Sequence, residues 1–235
     1  MKALILAAGL GTRLKPITNT IPKCLVPIHG RPLLGYWLQM LKTADIKYVL
    51  INTHYLHEAV LCFLQSQEYS LNIFTVYEEK LLGTGGTLLS NREFCSNCPI
   101  MIIHADNLSK FDMTAFIQAH HQRPAGCEMT MMTFISQTPE SCGIVELDGD
   151  GIVQAFHEKA KNPPSNLANA AVYIIEPTIL HFLESLDKVE IDFSTEVLPM
   201  YLGRINTFHN DVYHRDIGTV ESYQTALAEF PEKWL

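Results

Sequence analysis

Lys2 is followed by five apolar residues, Ala3 to Ala7, which stop at a glycine-rich break. A run this short predicts one buried strand and is far below the roughly 20 apolar residues of a membrane-spanning helix. Leu33, Leu34, Trp37, Leu38 and Leu41 then recur at helical spacing, with Pro32 suited to the first turn of a helix reaching about Ala44. Continuous apolar stretches predict strands at Tyr48–Ile51, Leu71–Tyr77 and Ile100–Ile103, and helices are expected over 56–67, 86–94 and 112–121. This alternation is that of βαβ crossovers, so a Rossmann-like, mostly parallel sheet covered by helices is expected, with ligands at the carboxyl ends of its strands.

The rhythm changes in the second half. Strands are expected at 129–135, 143–147, 152–156, 170–175, 205–209 and 212–215, forming a smaller mixed-sheet lobe. The turn Asp148-Gly149-Asp150-Gly151 joins two of them. Short helices are expected at 177–185 and 194–202, and an amphipathic one over 219–230. Nothing in the pattern marks a linker or repeat, so 1–235 reads as one domain with two halves, 1–125 and 126–235.

Composition narrows the function. With 235 residues, 47% hydrophobic and 18% charged, the chain can bury a substantial core. A formal net charge of −8 argues against nucleic acid as a partner. The first apolar run is too short for a signal peptide, so a cytoplasmic protein without a membrane partner is expected. Six scattered cysteines read as reduced thiols, and the lone pair Cys95 and Cys98 is a weak zinc motif.

Candidate chemistry starts at Gly9-Leu10-Gly11-Thr12-Arg13, with Lys23 after Pro22. A strand running into closely spaced glycines lets backbone N–H groups approach a phosphate, while Arg13 and Lys23 supply a planar fork and a point charge. The same residues also suit a tight turn with two solvated cations. Leu14 stands where a dinucleotide fingerprint needs its third glycine, and no Gly-Lys-Ser/Thr tripeptide of a P-loop occurs. Leu82-Gly83-Thr84-Gly85-Gly86-Thr87 suits either a close approach of main chain to a flat ligand or a helix-entry loop. Asp106, at the end of a strand, and Asp216, ahead of the last helix, are each able to cap a turn; together they could hold Mg²⁺.

The string Leu6 to Leu14 with Pro22-Lys23 resembles the signature of the sugar-1-phosphate nucleotidyltransferases, and later segments follow in the family's order. The resemblance implies the nucleotide-diphospho-sugar transferase fold, closest to mannose- or heptose-1-phosphate guanylyltransferase-like members. Its substrates would be an NTP, GTP favoured, and a sugar 1-phosphate, with Mg²⁺ as cofactor. Residues 1–125 would form the nucleotide-binding core and 126–235 the sugar-phosphate half. Ala7, Ala8, Gly9, Gly11, Thr12, Arg13, Gly83 and Thr84 would bind nucleotide; Gly143, Glu158, Lys159 and Asn169 would bind the sugar phosphate. Asp106 and Asp216 would hold the metal, and Arg13, Lys23, Asp106 and Lys159 would carry catalysis. Family relatives are often homo-oligomers.

Three residues depart from the family pattern, all in the sugar half: Cys142 replaces an aromatic residue, Ala160 a proline and Ala171 a glycine. Uridylyl or thymidylyl transfer, glucose or N-acetylmuramic acid phosphate as acceptor, and a catalytically silent nucleotide-sugar-binding regulatory subunit are the alternatives to the guanylyltransferase reading.

Overall fold

A computed structural model describes residues 1–67 and 69–231. In chain order, β1 (Lys2–Leu6) leads through the glycine loop to β2 (Pro27–Ile28), β3 (Arg31–Pro32) and α1 (Leu33–Thr43). Next come β4 (Tyr48–Thr53), α2 (His57–Gln65), β5 (Asn72–Tyr77), α3 (Gly83–Ser90), α4 (Arg92–Cys95) and β6 (Ile100–His104). They are followed by β7 (Asn107–Lys110), α5 (Met113–His121), β8 (Met129–Ile135), β9 (Gly143–Leu147), β10 (Val153–Glu158) and β11 (Leu167–Ile175). The chain continues with α6 (Ile179–Ser185), β12 (Ile205–His209), β13 (Tyr213–Asp216) and α7 (Val220–Glu229). The fold is mixed α/β, with a nine-stranded sheet and two small antiparallel pairs, β2–β3 and β7–β13. Among the described residues, no helix is long and apolar enough to cross a membrane.

The chain divides into two compact units that are discontinuous in sequence, so neither coincides with a half cut at residue 125. The first comprises Met1–Leu4, Leu82–Ile103 and Asp112–Asp211; the second comprises Ile5–Leu81, His104–Phe111 and Val212–Leu235. In the first unit, β11 pairs antiparallel with β6, β8 and β9, and β12 runs parallel to β8. β11, from the second half of the chain, is hydrogen-bonded directly to β6 from the first. In the second unit, β4 and β5 are parallel, with Tyr48 opposite Asn72 and Thr53 opposite Tyr77.

Two expectations change in detail. The segment 194–202 folds as a π turn, Phe193–Val197, followed by a 3-10 turn, Leu198–Tyr201. The helix expected at 86–94 begins at Gly83 and breaks at Asn91. Packing explains the early start: the Gly85 N–H donates to Ile191 O at 3.0 Å, and the Ile191 N–H donates to Leu82 O at 2.9 Å. A Cβ on Gly83 would lie 2.5 Å from Ile191 O, and one on Gly85 would lie 2.6 Å from Ile191 Cγ2. These glycines admit residues 189–191 against the helix.

His120, on α5, is buried between Thr130 Oγ1, 2.9 Å from Nδ1, and Glu176 Oε1, 3.2 Å from Nε2. Arg123 bonds the same Glu176 oxygen. Burial, then the nearby Arg123 and His121, pushes the imidazole down to about 3. The native state therefore refuses a proton that the unfolded chain accepts below about pH 6.5. Stability from this residue is complete above about pH 6.5 and is lost progressively as pH falls toward about 3. Urea unfolding at pH 7, 6 and 5 is expected to show this decline in wild type and a shallower one in His120→Gln.

Candidate functional site

The glycine loop closes on itself before it meets any ligand. Gly11 has φ +63°, and a Cβ there would lie 2.9 Å from Thr18 Cγ2 and 3.2 Å from Lys23 Cβ. The Thr18 hydroxyl donates to Gly11 O at 2.7 Å. Gly9, by contrast, is exposed with open space where a Cβ would go. The loop is tethered at its start, where the Ala7 N–H donates to Asn52 Oδ1 at 2.8 Å and Asn52 Nδ2 donates to Glu78 Oε1 at 2.9 Å. Asn52 and Glu78 are both buried and escaped the sequence reading. An asparagine directly after the apolar run Tyr48–Ile51 was the available signal.

One hydrophobic cluster aims the charged side chains of the second unit. Leu14, Val26, Ile28, Leu33, Leu108 and Ile217 are fully buried in it, with Phe230 nearly so. Leu14 follows Arg13, Val26 lies three residues after Lys23, Leu108 lies two after Asp106, and Ile217 follows Asp216. Burying these apolar neighbours fixes the backbone from which each functional side chain projects. The β7–β13 ribbon completes the arrangement: Asp216 pairs with Asn107, and the Ile217 N–H donates to Asp106 O at 3.0 Å. Two aspartates 110 positions apart thus become neighbours.

Both converge on Lys23. Its Nζ lies 2.5 Å from Asp106 Oδ2 and 3.3 Å from Asp216 Oδ1, and the lysine is only 8% exposed. Burial alone would lower the ammonium's pKa, but the two carboxylates overcome this and hold it above its ordinary value. Burial likewise works against the Asp106 charge, while Lys23, His104 and hydrogen bonds hold that carboxyl below the usual range. Asp216 is pushed up, first by burial and then by the neighbouring Asp106 charge. Arg13 reaches the same place: a Cβ on Gly218 would lie 2.5 Å from Asp216 Oδ2 and 3.1 Å from Arg13 Nη2. Gly218 therefore leaves room for the guanidinium and the carboxylate together.

The donor set suits a hard divalent cation. Two carboxylates already share one ammonium, and Mg²⁺ commonly takes one or two carboxylates plus substrate phosphate oxygens. Among the described residues there is no cluster of three or more His, Cys, Asp or Glu side chains able to form an all-protein cage.

The first unit holds the remaining sequence-selected residues. Gly83 and Thr84 open α3. Gly143 opens β9, pressed so closely on the Phe156 ring that a Cβ would meet it, and that Cβ would also lie 2.9 Å from Glu158 Oε2. Glu158 Oε1 accepts an ion pair from Lys159 Nζ at 3.0 Å. Lys159 and Ala171 both have positive φ, +47° and +52°, a conformation costly for residues with a side chain. Lys159 directly follows Glu158 and Ala171 lies two residues after Asn169, and strain of this kind collects at functional sites. Ala171→Gly is expected to raise the unfolding free energy by about 0.5 kcal/mol, since relief of strain exceeds the added freedom of the unfolded chain. Urea titration of the two proteins measures it.

A glycine loop, two cations and two carboxylates on one α/β unit are the equipment of a protein that handles a polyphosphate. The family model described as nucleotidyl transferase matches residues 2–233, and the chain belongs to that family. A mannose-1-phosphate guanylyltransferase of Mycobacterium tuberculosis is 30% identical, over 97% of this chain and 64% of its own length. A UTP--glucose-1-phosphate uridylyltransferase of Synechocystis is 28% identical, over 97% of this chain and 62% of its own. The chain thus spans less than two thirds of the length of these curated relatives. The crystal structure of HddC from Yersinia pseudotuberculosis shares the fold at a TM-score of 0.82, with 24% identity, covering 98% of this chain and 99% of that one.

Proposed function

We propose that this chain is a sugar-1-phosphate nucleotidyltransferase that condenses an NTP with a sugar 1-phosphate to give an NDP-sugar and pyrophosphate. The observation that carries the reading is the Lys23 ammonium held 2.5 Å from Asp106 and 3.3 Å from Asp216, on the unit that bears the glycine loop. A sugar phosphate is already an anionic oxygen nucleophile, so the transfer needs no covalent enzyme intermediate and no strong general base. What it needs is alignment and compensation of charge at the α-phosphorus.

In this reading Arg13 and the amides around Gly9, Gly11 and Thr12 bind the departing pyrophosphate, with Ala7 and Ala8 at the loop's entry. The Ala7 N–H is already committed to Asn52, so that residue contributes shape instead of a donor. Lys23 turns from the aspartates toward the α-phosphate as the nucleotide enters. Gly83 and Thr84 serve the nucleotide, while Gly143, Glu158, Lys159 and Asn169 take the sugar phosphate, Lys159 as its cation. Mg²⁺ held by Asp106 and Asp216 would neutralise triphosphate charge and polarise the α-phosphoryl group. GTP and a mannose-type sugar are favoured by the names of relatives such as the Mycobacterium tuberculosis protein. The Synechocystis relative keeps UTP and glucose 1-phosphate as the second reading. A cytoplasmic location, with its supply of NTPs, belongs to the same proposal.

The test is a matrix of GTP, UTP, dTTP and ATP against mannose, glucose, N-acetylmuramic acid and heptose 1-phosphates, scored for pyrophosphate and NDP-sugar together. The reading expects magnesium-dependent, stoichiometric formation of both from at least one pair. NDP-sugar binding with no turnover for any pair would favour a silent regulatory subunit instead.

A further inference from the structure

The strand β11 breaks its register with β8 between Asn169 and Tyr173, and Ala171 sits in that break with its left-handed backbone. The Asn169 carboxamide is held at both ends. Its Oδ1 accepts from the Ala171 N–H at 2.9 Å, and its Nδ2 donates to the Tyr173 hydroxyl at 2.6 Å. Because a backbone N–H can only donate, the first bond identifies the carbonyl end and the second therefore meets the amino end. Tyr173 is itself immobilised: it is 1% exposed, and its ring packs on Phe193 with centroids 5.2 Å apart.

These bonds use one of the two Nδ2 hydrogens and one of the two Oδ1 lone pairs. One donor and one acceptor remain on a half-buried carboxamide that cannot flip without turning its amino group against the Ala171 N–H. We propose that Tyr173 is a positioning residue for the sugar, orienting Asn169 so that the remaining N–H and lone pair meet two neighbouring ring hydroxyls. The proposal rests on the reading that Asn169 contacts the sugar phosphate, and it adds the ligand chemistry: a vicinal diol in which one oxygen accepts and the other donates. Tyr173 acts through Asn169 and touches no substrate.

The experiment is calorimetric titration of GDP-mannose and of GDP into wild type, Tyr173→Phe, Asn169→Ala and the double variant, with thermal unfolding of each. Loss of one hydrogen-bond constraint is expected to weaken GDP-mannose about tenfold in Tyr173→Phe. GDP, which lacks the sugar, should bind within about twofold of wild type, and Tyr173→Phe should add nothing in the Asn169→Ala background. GDP-mannose binding unchanged in Tyr173→Phe, or GDP and GDP-mannose weakened alike, would overturn the positioning role while leaving the transferase reading intact. Wild-type protein that binds GDP without preferring GDP-mannose would remove the sugar assignment of Asn169, and this role with it. If wild type binds neither ligand, the same four proteins are titrated with the NDP-sugar that the substrate matrix identifies and with its NDP, and the same outcomes decide the role.

Discussion

Lys23→Ala is expected to lower kcat for NDP-sugar formation by at least about 10²-fold, the usual cost of deleting one preorganised electrostatic group. The effect has two origins. In the proposed mechanism the α-phosphoryl group loses its cation in the transition state, and in the ligand-free protein Asp106 and Asp216 lose the ammonium that balances them. The second loss also costs stability. Removing one partner of a buried ion pair commonly costs about 3–5 kcal/mol. Asp106 and Asp216 keep some solvent contact, their side chains being 32% and 53% exposed, so a smaller loss is expected. Pre-steady-state pyrophosphate release separates the two: a folded variant saturable with NTP but slow in chemistry is the expected outcome. Wild-type turnover in a folded Lys23→Ala protein would remove the lysine from the mechanism.

Gly86→Ala is expected to produce the largest purely structural effect. A Cβ there would run into the Val189 carbonyl oxygen and lie 3.0 Å from Leu82 Cβ and 3.4 Å from Ile191 N. The main obstacle is backbone pinned by the Ile191 N–H to Leu82 O bond, so it cannot yield as a side-chain tip would. Overpacking of this kind costs about 3 kcal/mol, or roughly 6–12 °C in Tm for a protein of this size. Gly9→Ala provides the contrast. With open space at its Cβ position, it should change stability by less than about 0.5 kcal/mol while weakening NTP binding, if that space receives phosphate. Differential scanning calorimetry of the two variants reads the difference directly.

The glycines also show what was and was not legible in the chain. Gly9 and Gly11 could be read as a phosphate-type loop because strand, break and cations all lie between Lys2 and Lys23. Gly83, Gly85 and Gly86 could not be apportioned between ligand and packing, since the segment that fills the space beside them, 189–191, lies a hundred residues further on. The strands 129–135, 143–147 and 205–209 have the expected bounds because alternating or continuous apolar runs announce them. The strand Asn107–Lys110 carries only one apolar residue, Leu108, and its partner is Tyr213–Asp216; nothing local marks it. Yet this ribbon is what brings Asp106 beside Asp216. Asp106 and Asp216 were recognisable as candidates from their motifs, whereas their shared hold on Lys23 depends on tertiary structure. Tyr173 was hidden for the opposite reason, being a tyrosine within an apolar strand whose hydroxyl partner is set by a bulge.

Asp106 and Asp216 are proposed to act as one unit on one polyphosphate. This is tested most directly by comparing pyrophosphate release at saturating NTP and magnesium in Asp106→Asn, Asp216→Asn and the double variant. Residues that act together lose function non-additively. Each single change is expected to slow release by about 10²-fold, with the double variant within a few-fold of the slower single one. Near-wild-type release in either single variant, or two losses that multiply in the double, would contradict it.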